Sequence, residues 1–403
     1  MAKQINLKPF RDFFLSEQIG GIILLFCVII SLSVANSSLA NSFENLLETN
    51  LGFSTSNIHL EYSISLWIND GLMAIFFLLV GLEIKREIIE GELSNPKKAT
   101  MPIMAAIGGM LFPAAIYAFF NTGTLTANGW GIPMATDIAF ALGIISLLGK
   151  RVPASLKVFL AALAIADDLG AILVIALFYT NELHWMQLLY SGGILAILII
   201  MNQSGVKKLI FYIIPGIFLW YFVHHSGIHA TIAGVLLALT IPSNPVKDTS
   251  PLEKLEHFIV RPVNFLIMPI FALANTNIRF EDKMIDGLYS PLGLGILLGL
   301  FVGKPVGIFI FSWLSVKSGL GSLPSGANWK HIIGLGFLAG IGFTMSIFIT
   351  MLSLDNHEFQ IEAKFSILVA SVLSGIIGYI FLNVLHKKKI KGSDSRMIKV
   401  ESI

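Results

Sequence analysis

The sequence predicts an all-α polytopic membrane protein of about twelve transmembrane helices. Three observations carry that expectation. The 403 residues are 55% hydrophobic and only 13% charged, with a mean hydropathy of +0.78, whereas soluble domains carry about 25% charged residues. The apolar residues gather into runs of roughly the 20 needed to cross a bilayer. The basic residues between those runs fall almost wholly on alternate loops.

Taken in order, the runs place spans at 16–35, 63–84, 99–120, 130–148, 155–179, 186–202, 207–223, 227–241, 257–275, 291–314, 331–352 and 364–386. The chain divides into a basic amphipathic stretch at 1–15, a single transmembrane domain at 16–386 and a basic tail at 387–403. Small residues at 35–40 follow the first run, as they would after a signal peptide. The run is kept as an uncleaved span because the charge alternation then closes.

With the N-terminus inside, 23 of the 27 Lys and Arg lie on one side of the membrane. Arg279, Lys283 and Lys364 lie on the other, and Lys304 lies within a span. The positive-inside rule therefore puts both termini in the cytoplasm. The longest external loop, 36–62, has no Lys or Arg, and its stretch 51–62 alternates enough for a small hairpin. The single cysteine, Cys27, excludes an intrachain disulfide and a thiolate metal cluster.

Few charges remain at membrane depth: Asp70, Asp137, Asp167, Asp168 and Lys304. Each costs about 2.5–3.5 kcal/mol near a bilayer centre even on insertion scales, so each is a candidate functional group. Asp167 and Asp168 are adjacent in ALAIADDLGAI. Neighbouring helical positions point about 100° apart. One carboxylate can then face a cavity while the other turns to a partner, and Lys304 is the cation at depth. Two close carboxylates resist losing both protons together. Ionised, either is a hard oxygen ligand for Na⁺ or Li⁺. A site that holds protons or a cation, but not both, is sufficient for exchange if access alternates.

Two spans have unusual interiors. The fourth contains Pro133, Thr136 and Asp137, and the eleventh contains Gly340 and Gly342. Glycine at such positions also serves close helix packing. Unwound backbone at depth is tolerated only inside protein or beside a cavity. Both segments are second in a triplet, helices 3–5 and 10–12, and seven spans separate the triplets, so they run in opposite senses. This is the pattern of inverted repeats with two broken, crossing helices, 4 and 11. Interrupted helices have partial charges at their new ends, which Asp137 and Lys304 are suited to neutralise.

The motifs LWINDGLMAIFFLLVGLEIKREI at 66–88, PMATDIAFALG at 133–143, ALAIADDLGAI at 162–172, SGIHATIAGV at 226–235, LEH at 255–257, VGKPVGI at 302–308 and AGIGFTMSIFI at 339–349 resemble bacterial NhaA-type Na⁺/H⁺ antiporters. The resemblance runs from about residue 10 to 385. That family is itself a type case of inverted repeats. The resemblance implies an electrogenic, pH-regulated secondary antiporter of the bacterial inner membrane. It would export Na⁺ and Li⁺ for H⁺, without a cofactor or enzymatic chemistry.

It further implies that Asp168 is the principal cation ligand and that Asp167 acts with it, pairing with Lys304. Thr136 and Asp137 would assist on the unwound helix, and Asp70 would lie on the outer part of the ion path. Glu83, Arg86, Glu87, Glu256 and His257 would form a pH-responsive cluster, and His229 would affect the pH profile. Glu83, Arg86 and Glu87 also have the spacing of an ordinary salt-bridged helix end. The region at 45–60 resembles the family's dimer contact, which implies a homodimer. The partners implied are then Na⁺, Li⁺, H⁺, the lipid bilayer and a second copy, with no nucleic acid. No GxxxxGK[ST] motif is present for a nucleotide. An intramembrane aspartyl protease would need its two carboxylates on separate helices, and a passive channel would not place a lysine in its path.

Overall fold

The computed structural model describes residues 8–55, 59–180, 183–243, 250–281 and 284–400. Of the N-terminal stretch 1–15, residues 1–7 lie outside these, and the side chains of 8–18 and of the tail from 387 onward are likewise not described. The backbone is helical apart from one hairpin. It begins with α1 (Lys8–Ala35), a short α2 (Ala40–Glu48), and the antiparallel strands β1 (Asn50–Ser54) and β2 (His59–Ser63). The expected hairpin is therefore present, with Leu51 opposite Tyr62.

After the hairpin the chain forms α3 (Ile64–Ile89), α4 (Pro96–Asn121), α5 (Ile138–Leu147), α6 (Ala154–Phe178) and α7 (Trp185–Gln203). A 3-10 stretch, Ala127–Met134, precedes α5. Then come α8 (Ile210–His224), α9 (Ile232–Thr240), α10 (Pro251–Asn275) and α11 (Pro291–Lys317), and after them α12 (Trp329–Ala339), α13 (Phe343–Ser353) and α14 (His357–Val400).

Eight helices among the described residues are long and apolar enough to cross a bilayer, and two bent pairs raise this to ten. One pair is α12 with α13, bent by 50°. The two expected segments beyond these ten are the shorter helices α8 and α9, so each of the twelve predicted spans has a helical counterpart.

Helix ends depart from the sequence reading where local chemistry is strong. The ninth expected span, α10, starts at Pro251 rather than 257, because Ser250 and Glu253 form a reciprocal capping box and Pro251 occupies the first turn. Glu256 and His257 are thus helical. The eighth segment is helical only from Ile232, and the last helix begins at His357 rather than 364.

Outward faces are rich in exposed apolar side chains, such as Phe119, Leu177, Leu189 and Ile217, as expected where lipid is the solvent. Inside, small residues let the helices approach closely. A Cβ on Gly108 of α4 would lie 2.3 Å from the carbonyl oxygen of Gly307 on α11. Side-chain ties gather the loops at two ends. Tyr62 with His225 and Arg279 with Glu44 join the hairpin end. Lys85 with Ile241, Arg86 with Glu256 and Arg151 with Asn383 join the opposite, basic end.

Candidate ion site at the crossing of two interrupted helices

The fourth and eleventh segments are interrupted and meet at their breaks. The chain is 3-10 up to Met134, extended through Ala135 and Asp137, and α-helical again from Ile138. Pro133 cannot donate to a helical ladder. In the eleventh segment, α12 ends at Ala339 and α13 starts at Phe343. Gly340 has an ordinary right-handed φ of −71°, so backbone freedom is not its use. A Cβ there would lie 2.5 Å from the Leu300 carbonyl oxygen. The helix thus stops where the chain passes close against α11.

The crossing is held by backbone groups that the breaks set free. The Asp137 amide donates to the Ile341 carbonyl at 2.6 Å, and the Ser346 hydroxyl donates to the Ile132 carbonyl at 2.7 Å. Asp137 sits between two helix N-termini. Its Oδ1 accepts from the Phe140 amide at 3.1 Å and caps α5. Its Oδ2 accepts the amide and hydroxyl of Thr344, in the first turn of α13, at 3.0 and 2.5 Å. One carboxylate therefore compensates two positive helix ends.

Lys304 compensates a negative end. It is fully buried and donates through Nζ to the Met134 carbonyl, the last of the 3-10 stretch, and to Asp167 Oδ2. A π-helical stretch, Gly299–Gly303, immediately precedes it. Such bulges shift the register of the turns after them and recur at functional sites.

Thr136 Oγ1 lies 2.7 Å from Asp167 Oδ2 and 2.9 Å from the Ala339 carbonyl oxygen. A hydroxyl has one proton to donate, so it serves one acceptor at a time. Asp168 is 1% exposed. Its Oδ1 and the Oδ1 of Asp167 are buried with no hydrogen-bond partner among the described residues. Buried oxygens of this kind are costly unless something occupies them. A proton or a small hard cation is the chemistry they fit. The described residues contain no group of three His, Cys, Asp or Glu of the sort that holds a resident metal ion.

The remaining candidates lie at the two ends. Arg86 pairs with Glu256 at 2.9 Å and with Glu87 at 3.6 Å. Glu256 is buried with Oε2 unpartnered, and His257 is exposed on the next position of α10. Glu83 lies one turn before Glu87 on α3. His229 is apart from these residues. Its Nε2 is buried with no hydrogen-bond partner among the described residues. Asp70 lies in a π-helical stretch, Trp67–Leu72, and pairs with His224 at 3.1 Å.

A sequence profile of the Na⁺/H⁺ antiporter 1 family matches residues 11–382. The chain belongs to this family. It is 62% identical over 390 residues to the Na⁺/H⁺ antiporter NhaA 2 of Flavobacterium johnsoniae, covering 96% of each chain. It is 51% identical over 393 residues to the Na⁺/H⁺ antiporter NhaA of Pelagibacter ubique, covering 96% of this chain and all of that one. Over 382 residues it is 49% identical to the Bordetella parapertussis NhaA, covering 93% and 96%. Members of the family are transporters rather than enzymes.

Within this family member, sequence reasoning left three side chains without a role that the structure gives contacts. Thr344 and Ser346 tie the crossing, and His224 pairs with Asp70. A hydroxyl just after a helix break is a readable signal for Thr344. No local pattern singles out His224, because its partner is 154 positions earlier in the chain.

Proposed function

We propose that this protein is an electrogenic, pH-regulated antiporter of the bacterial inner membrane, with both termini in the cytoplasm. It exports Na⁺ and Li⁺ in exchange for a larger number of protons. One observation carries the reading. Adjacent buried carboxylates, each with an unpartnered oxygen, lie beside a buried lysine where two interrupted helices cross.

Asp168 is the principal ligand of the transported cation in this reading. Asp167 is held by Lys304 and Thr136 when the site is empty, and joins Asp168 when the cation arrives. Thr136 can then turn its hydroxyl proton to the Ala339 carbonyl and leave its oxygen free. Protonation of the carboxylates removes the charge that attracts Na⁺, so the two substrates displace one another. Asp137 stays bound to its two helix ends and keeps the crossing intact. Alternating exposure of this one site to either face converts the competition into exchange. The proton gradient drives the cycle, and no cofactor enters it.

Asp70 lies on the outer part of the path. Arg86, Glu87, Glu256 and His257, with Glu83 nearby, respond to cytoplasmic pH, and His229 adjusts the profile from the other end. The exposed strand β1 of the hairpin provides the contact for a homodimer. The experiment is Na⁺- and Li⁺-dependent dequenching of a pH-gradient dye in everted vesicles. The wild type responds to both cations. Asp168→Asn, present at equal amount in the membrane, gives the background of vesicles without the protein, and a normal response would remove Asp168 from its role.

A further inference from the structure

We propose that His224 is a proton-relay residue, which passes protons between water at the hairpin end and Asp70. The proposal rests on the reading that Asp70 lies on the outer part of the transport path. His224 is the last residue of α8, and its Nδ1 lies 3.1 Å from Asp70 Oδ2. The two side chains are 15% and 18% exposed, so the pair is sheltered but touches solvent.

The ring is fixed from several directions. Trp220, one turn earlier, stacks on it with centroids 5.6 Å apart and planes at 16°. The same Trp220 donates its indole N–H to the Asp70 carbonyl at 3.2 Å. Tyr62 of β2 meets the ring edge-on at 5.0 Å. Trp67 stacks on Trp220 and donates to the Leu51 carbonyl at 3.0 Å. The hairpin, α3 and α8 thus converge on one imidazole–carboxylate contact. Among the described residues, the other titratable groups nearest this pair are Tyr62 and His225, whose rings meet His224, and His229 on the Asp70 side, with His59 and Tyr221 beside Tyr62 and His225.

The chemistry explains why an imidazole is useful there. An ordinary carboxyl group is protonated only about one time in a thousand at pH 7, so alone it is a poor collector of protons. Imidazole changes charge between about pH 5 and 8. A proton taken from water at Nε2 lets the Nδ1 proton move to Asp70 Oδ2. This leaves a neutral ring and a neutral carboxyl group, and the reverse steps return the proton. Uptake of the proton from water takes the pair from one net negative charge to neutral, and the transfer from ring to carboxylate conserves charge within the pair.

The test uses purified protein in proteoliposomes on solid-supported membranes, with the pH of each face set separately. His224→Gln, His224→Ala and Asp70→Asn are compared with wild type, normalised to protein. The two His224 variants are expected to transport at near wild-type rate with the outer face at pH 6. At pH 8, where protons are scarce, they should fall on the order of tenfold. Imidazole added at the outer face should restore His224→Ala. A rate lowered equally at every pH, without rescue by imidazole, would show a merely structural role and overturn the proposal. Wild-type profiles in both His224 variants, with Asp70→Asn impaired, would overturn it too. A full rate in Asp70→Asn would instead remove Asp70 from the path, and the proposal with it.

Discussion

Asp137 and Thr344, 207 positions apart in the chain, are joined twice. One carboxylate oxygen of Asp137 accepts both the amide and the hydroxyl of Thr344. The other oxygen caps α5. The pair links the two interrupted segments at the point where each resumes as a helix.

Removing the Thr344 hydroxyl should therefore cost stability more than transport chemistry. Thr344→Val retains the amide bond and loses a hydrogen bond to a charged group, a change worth about 1.5–3 kcal/mol. A lowered melting temperature in detergent checks this. The loss should not add to that of Asp137→Asn, since both disturb one contact. Additive shifts would mean that the two residues stabilise separate features.

Lys304 and Asp167 are both fully buried, so removing either alone leaves a charge without its partner. Lys304→Met should destabilise the protein by roughly 3–5 kcal/mol. The double variant Lys304→Gln with Asp167→Asn should be more stable than Lys304→Met, because the carboxylate that the lysine paired with is neutralised along with it. Thermal unfolding of the three proteins ranks them, and the charge moved per Na⁺ in Lys304→Gln reports whether the lysine contributes to electrogenicity.

Gly340→Ala places a methyl group 2.5 Å from the Leu300 carbonyl oxygen, which is backbone and cannot rotate away. Overpacking of this kind costs about 1–3 kcal/mol, and displacement of α11 would carry Lys304 with it. A lower melting temperature and a lower transport rate are expected together. Gly192→Ala on α7, where a Cβ meets nothing within 4 Å, is the control and should behave as wild type.

The hairpin end should loosen in acid. Burial holds the His225 imidazole below its ordinary value, with His224 and His59 acting the same way and the hydrogen bond to Tyr221 opposing them. A group with a lowered folded value binds its proton more readily when its surroundings open. Its neutral, packed form is favoured above the ordinary value of about 6.5, and stability is lost as the pH falls below that. Amide exchange of β1 and β2 should therefore be faster at pH 5.5 than at pH 7.5 after correction for intrinsic rates, and His225→Phe should reduce the difference.

Much of this architecture is legible in the chain itself. Segment number follows from apolar length and from the placement of lysine and arginine, because both obey the bilayer rather than the details of packing. The break at Pro133–Asp137 is readable because proline and a buried charge both disturb a helix. That one of the two adjacent aspartates meets Lys304 follows from the scarcity of cations at depth, whereas the family resemblance is what singles out Asp167. Other features depend on distant partners. The reason for Gly340 is the Leu300 carbonyl on another helix, and the reason for His224 is Asp70, which no spacing connects to it. The early start of α10 is legible in the Ser250–Glu253 capping box, but the weak hydropathy of its first two turns hides it from a search for apolar runs.

The ties at the crossing have a mechanical consequence. Four bonds lash the two interrupted segments together: the Asp137 amide to Ile341, the Thr344 amide and hydroxyl to Asp137, and the Ser346 hydroxyl to Ile132. They form a rivet, and neither segment can swing without carrying the other. Where α3 meets α9, by contrast, the close approach rests on small residues, with Gly81 facing Ala238 and Gly234 lying against the backbone at Ala74. The molecule thus has a fastened centre, which moves as one piece if it moves at all.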